Sequence, residues 1–139
     1  MIIEHGTLVV AADGGGAVIY RNSGNDGLAK LEVVENHNAS HHKAPGGGKT
    51  ALAGHDYHEQ GERQFASTLA ARVDELIGAH QHAKTQPSVV MIASPRFLGV
   101  IRGDYSARLK AALKAEISKD LRESPIKQIE HALAALAHS

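Results

Sequence analysis

Residues 7–12, TLVVAA, form a short and nearly unbroken apolar run, the pattern of a strand buried on both faces. Asp13, Gly14 and Gly15 supply a turn directly after it, and residues 16–21, GAVIYR, have the alternation of its hairpin partner. A second turn cluster, NSGNDG at 22–27, leads into a third strand over 28–35 with Leu31 and Val33 on one face. The chain is thus expected to open as an antiparallel meander.

Further on, the period lengthens. Phe65, Leu69, Val73, Leu76, Ile77 and His80 recur at helical spacing while Arg63, Arg72, Asp74 and Glu75 fall elsewhere on the wheel, which predicts an amphipathic helix over 60–77. Gly78 and the polar stretch 81–87 end it, and residues 88–93, SVVMIA, form a second apolar run of the buried-strand type. Ser94-Pro95, a hydroxyl cap with proline in the first turn, introduces a helical segment over 96–114 in which Gly99 and Gly103 are candidate breaks. Residues 115–121, AEISKDL, alternate weakly and suggest a fifth strand, against a local preference for helix. Ser124-Pro125 repeats the start signal for a last helix with Ile126, Ile129, Leu133 and Leu136 on its apolar face. This order predicts an α/β fold with a mixed five-stranded sheet, an antiparallel meander followed by two parallel strands reached through right-handed crossovers. Neither a repeat nor a boundary interrupts the pattern, so residues 1–139 are expected to form one domain.

Between the third strand and the first helix the pattern is lost. The loop expected over 36–60, NHNASHHKAPGGGKTALAGHDYHEQ, holds half of the histidines and three consecutive glycines. A connection this long inside a small domain is usually functional or disordered. Gly46, Gly47 and Gly48 can adopt backbone angles closed to other residues and bring the main chain close against a partner. Lys49 and Thr50 complete the candidate binding tip.

Composition narrows the choices. The 15 basic and 15 acidic side chains cancel, so binding of a polyanion must rest on a local patch and not on net charge. Absence of cysteine removes disulfides, thiolate metal sites and cysteine nucleophiles. At 4% aromatic content and without tryptophan, the chain is poorly supplied for a base-stacking surface. The N-terminal MIIEHGT lacks the basic and apolar regions of a leader, and no apolar stretch approaches a membrane span. A cytoplasmic protein without membrane contact is expected.

Three chemistries compete for the loop. GGGKT suggests phosphate binding, but the first glycine of a G-x-x-x-x-G-K-[ST] loop would have to stand at Lys43. His55 and His58, with His37, His41 and His42 nearby, offer imidazoles for a metal, yet their spacing matches no established site; no metal and no cofactor are expected. Asp13 stands where a two-metal nuclease would carry a carboxylate, but further acids do not accompany it, and a turn role fits it better. Arg96, Arg102, Arg108 and Lys110 are candidate phosphate contacts, in a second half where basic residues outnumber Asp104 and Glu116.

Two resemblances follow from longer stretches. VVAADGGGAVIYR, HEQGERQFASTLAARVDEL, VVMIASPRFLGVIR and EISKDLRESPIKQIEHAL together resemble the bacterial host-attachment proteins, a family named for a phenotype. More distantly, the chain is similar to the middle domain of archaeal and eukaryotic peptide-chain release factors and of Pelota. That resemblance implies an RNase-H-like fold with a meander, a long loop and then a helix. In release factors the loop tip reads Gly-Gly-Gln-Ser-Ala-Leu; here Gly47, Gly48, Lys49, Thr50, Ala51 and Leu52 stand in its place, at a matching distance from Phe65. The release-factor glutamine positions water for peptidyl-tRNA hydrolysis, a task that the cationic Lys49 side chain cannot imitate, although its backbone N–H persists. The resemblance therefore implies a non-enzymatic partner of the ribosome or of structured RNA, in rescue, recycling or dormancy. The rival expectations are a metal-assisted hydrolase or nuclease using the histidine-rich loop, and an adhesion-related factor.

Overall fold

The computed structural model describes residues 3–24, 29–39, 54–79 and 87–137, the backbone alone for 54–60 and 137. Its five strands are β1 (Leu8–Asp13), β2 (Gly16–Asn22), β3 (Leu31–Asn38), β4 (Val89–Ala93) and β5 (Leu113–Ser118). Four α-helices accompany them: α1 (Gly54–Ala79), α2 (Pro95–Ile101), α3 (Ala107–Ala112) and α4 (Ile126–Ala137). The strands form a mixed sheet in the order β3-β2-β1-β4-β5. β1 pairs antiparallel with β2, and β2 with β3, whereas β1, β4 and β5 run parallel. The α/β class, the meander and the two added parallel strands agree with the expectation.

β1 and β4 lie at the centre and are buried on both sides, which is why their sequences are continuous apolar runs. Successive side chains point to opposite faces. Leu8, Val10 and Ala12 with Val89, Met91 and Ala93 pack beneath α1, α2 and α3; Val9 and Ala11 with Val90 and Ile92 pack beneath Ile129 and Leu133 of α4. The result is a three-layer sandwich. On the first face Phe65 of α1 meets Phe97 of α2 with ring centroids 5.8 Å apart, a tilted aromatic contact that contributes about 0.5–1.5 kcal/mol beyond its buried area.

Several boundaries differ from the sequence reading. β3 begins and ends later than expected, because its ladder with β2 continues through Ala17–His37 and Gly16–Asn38. Leu31 is buried but Val33 is 55% exposed. Both follow the register opposite Asn22 and Tyr20, and α4 covers only the Leu31 end, where Glu130 Oε2 accepts the Leu31 N–H at 2.8 Å. The segment over 96–114 is not one helix. It breaks at a 3-10 turn over Arg102–Asp104, and Ser106 caps a new helix by accepting the Leu109 N–H at 3.0 Å. The same Ser106 hydroxyl donates to Asp74 Oδ1 at 2.6 Å, so the cap also ties α3 to α1. β5 follows directly from α3 and starts two residues before its expected position.

A charged strut joins the edge strand to α1. Arg72 Nε donates to both Glu35 carboxylate oxygens at 2.9 and 2.8 Å, and His37 Nε2 lies 2.8 Å from Glu35 Oε1. The Arg72 guanidinium, helped by His37, holds the Glu35 carboxyl below its ordinary range against the opposing effect of burial. A depressed carboxylate contributes stability above its unfolded value of about 4.3, lost as the pH falls through the folded value. Glu116, hydrogen-bonded by Arg102 and Tyr105, is depressed in the same direction and adds to this acid sensitivity. We expect Glu35→Gln to lower stability at neutral pH and to flatten the decline below about pH 4.3. Urea unfolding across that range checks it; an unchanged acid limb would show that the strut carries no pH-dependent stability.

Candidate functional site

β1, β4 and β5 are parallel, and two antiparallel steps return β3 to the same direction as β1. Their carboxyl ends therefore gather at one end of the sheet, the place where open α/β sheets bind ligands. Asp13 lies there at the end of β1, Ser94 and Arg96 follow β4, Arg122 follows β5, and the chain leaves β3 there at Asn38. Residues 40–53 connect this point to α1.

Asp13 organises this end. Its Oδ1 accepts the N–H groups of Gly15 at 2.7 Å and Gly16 at 3.1 Å, closing the β1–β2 turn, and lies 2.7 Å from Arg122 Nε. Aspartate in turns makes such local bonds to backbone amides. The three glycines that follow allow unusually close approaches. A Cβ on Gly16 would stand 2.5 Å from the His37 backbone oxygen and 3.0 Å from the Arg122 guanidinium. The first of these is main chain and has little room to yield, so the position requires glycine. Gly15 carries the root of the loop, its carbonyl accepting the Ala39 N–H at 3.1 Å. Above Gly14 lies Glu62 of α1, which pairs with Arg96 of α2 at 2.9 Å. Ser94 caps α2 by accepting the Phe97 N–H at 3.4 Å, while its own N–H reaches the Ala12 carbonyl at 3.3 Å.

Gly46, Gly47, Gly48, Lys49 and Thr50 lie outside the described residues. His55 and His58 stand in the first turns of α1, not in the loop. The expected loop over 36–60 is correspondingly shorter, since β3 runs through Asn38 and α1 starts at Gly54. The opening of α1, GHDYHEQGERQ, is almost wholly polar, so no apolar period disclosed it as helix. Among the described residues no group of three or more histidine and carboxylate side chains converges as a metal site. Nor does any described helix have the length and apolarity to cross a membrane.

The four expected phosphate contacts are dispersed. Arg96 pairs with Glu62, Arg102 with Glu116 at 2.8 Å, and Arg108 with Asp74 at 3.7 Å, while Lys110 is exposed on α3. Glu62 and Asp74 are twelve residues apart on α1, about 18 Å along its axis, so Arg96 and Arg108 belong to opposite ends of the domain face. Arg96 alone of the four belongs to the loop end. Sequence reasoning missed Arg122 and Glu62, whose partners are remote in the chain. The available signal was the placement of Arg122 directly behind the fifth strand. Since Asp13 accepts two amides and balances a guanidinium, Asp13→Ala is expected to destabilise the fold by roughly 1.5–3 kcal/mol. Asp13→Asn, which keeps an acceptor and loses the charge, is expected to cost less. Denaturant midpoints compare them; equal, negligible losses would deny Asp13 its organising role.

No curated protein matches the chain. The family model described as bacterial archaeo-eukaryotic release factor family 12 matches residues 6–133 of 139, from the segment before β1 into α4. The match thus takes in the sheet, the Asp13 turn, the glycine loop and Arg122. On that extent, the chain belongs to bacterial archaeo-eukaryotic release factor family 12.

Proposed function

We propose that this chain is a docking module for the ribosome or for structured RNA, with residues 46–50 as its contact and no hydrolysis of its own. The observation that carries it is the family membership together with the placement of the loop's root. Ala39 is held by Gly15, whose turn is closed by Asp13. A release-factor-like family supports a role in translation. A rigid base favours such a role because the ordering cost of a long connection falls when its ends are fixed.

Lys49 is the reason for leaving hydrolysis out. Its ammonium suits a phosphate and does not orient water as a neutral amide does. A docking module of this kind would serve rescue, recycling or dormancy alike. The metal-assisted and adhesion alternatives lack a comparable support in the fold.

Lys49→Ala should weaken ribosome co-sedimentation modestly and lower the log-log salt slope by roughly one unit. Lys49→Gln, which restores the release-factor tip, should lose the same contact without gaining efficient peptide release, because displacement of a reacting group by about an ångström can cost a hundredfold in rate. Both variants and the parent chain are to be compared in pelleting and in release of labelled peptide from stalled complexes. Rapid release by the parent chain would overturn the non-enzymatic proposal, and failure of all three to bind at low salt would overturn the translation proposal.

A further inference from the structure

On the second face of the sheet α4 is the only helix among the described residues, and its outer side is open. Between α4 and the connection from β5 runs a groove of about 660 Å³. Leu121 and Ala132 form its floor, the exposed Ala135 also lines it, and Lys119, Lys127 and His131 stand along it. Leu121 and Ala132 pack inward against the α4-side core, so the floor is the outer skin of that core. Lys127, His131 and Ala135 follow one another at four-residue spacing, a continuous stripe on a helix.

The charged side chains that line this groove are both lysines. Lys119 and Lys127 are exposed and form no ion pair among the described residues. The nearby carboxylates Asp120, Glu123 and Glu130 do not line it; Glu123 faces Arg122 at 3.1 Å and Glu130 accepts the Leu31 N–H at 2.8 Å. A nucleic acid would use the lysines but find no aromatic ring for its bases and leave the apolar floor wet. An amphipathic helix fills both requirements, with apolar side chains on the alanine and leucine floor and carboxylates beside the lysines.

We infer that this groove docks an acidic amphipathic helix of a protein partner. The inference uses none of residues 40–53 and stands or falls independently of the RNA proposal.

The test uses the full chain, isotopically labelled for amide NMR, and a synthetic helical peptide with leucines on one face flanked by glutamates. Amide shifts should concentrate in 119–135. Replacing the leucines by serine, or the glutamates by lysine, should weaken binding about tenfold or more, a loss of about 1.4 kcal/mol per tenfold. Lys119→Glu with Lys127→Glu should weaken the glutamate peptide similarly, leave the unfolding midpoint unchanged and improve binding of the lysine peptide. Lys49→Ala should leave the glutamate peptide unaffected. Binding indifferent to the leucines or to charge reversal would overturn the inference, as would a short single-stranded RNA that perturbs 119–135 more strongly than the peptide.

Discussion

The carboxyl end of this sheet depends on one carboxylate. Asp13 closes the β1–β2 turn through two amides and faces Arg122, which arrives from beyond β5. Four connections meet around it: the turn itself, the exit from β3 through Ala39 and Gly15, α1 through Glu62 above Gly14, and the approach to α4. Because the His37 carbonyl stands 2.5 Å from where a Cβ on Gly16 would lie, glycine there is a packing requirement and not a sign of slackness. The half-buried guanidinium and carboxylate are costly to desolvate singly, so each makes the other's position necessary.

The sheet makes that arrangement stiff. β1 is covered on both faces and bonded on both sides, antiparallel to β2 and parallel to β4, so Asp13 is carried on the least yielding strand of the fold. The outer strand β3 is of another kind. Its register shifts opposite Ile19 and Tyr20, it carries Glu32 and Glu35, and it exposes Val33 and Val34. A bulge and negative charges on an edge oppose strand addition, while the Glu35–Arg72 strut fixes the strand to α1 close to where the loop begins. Rigid support at the point where a long glycine-containing connection leaves the sheet is the arrangement expected of a binding loop.

How much of this was legible in the sequence follows from which interactions are local. TLVVAA and SVVMIA disclosed the central strands because burial on both faces leaves no polar alternation. Ser94-Pro95 and Ser124-Pro125 announced helix starts, and at the first of them the Ser94 cap is a short-range interaction. Of the two candidate breaks inside 96–114, Gly103 falls in the 3-10 turn whereas Gly99 stays inside α2, and the start of α3 behind Ser106 was missed. The extension of β3 and the early start of α1 were hidden for a common reason: both segments are polar, and pairing or helix geometry holds them where hydrophobic period is silent. At the site, the turn role of Asp13 was readable from its neighbours. Its pairing with Arg122 was not, because it depends on the sheet order that brings β5 to the side of β4.

We propose that residues 46–50 meet the translation machinery. A photo-crosslinking amino acid in place of Lys49, activated in a cell lysate, would test it most directly, with the attached RNA identified by sequencing. We expect cross-links confined to a small set of ribosomal RNA positions, and their loss when Asp13→Ala removes the support of the loop's root. Cross-links scattered over unrelated RNAs, or the same pattern with Asp13 removed, would contradict the claim.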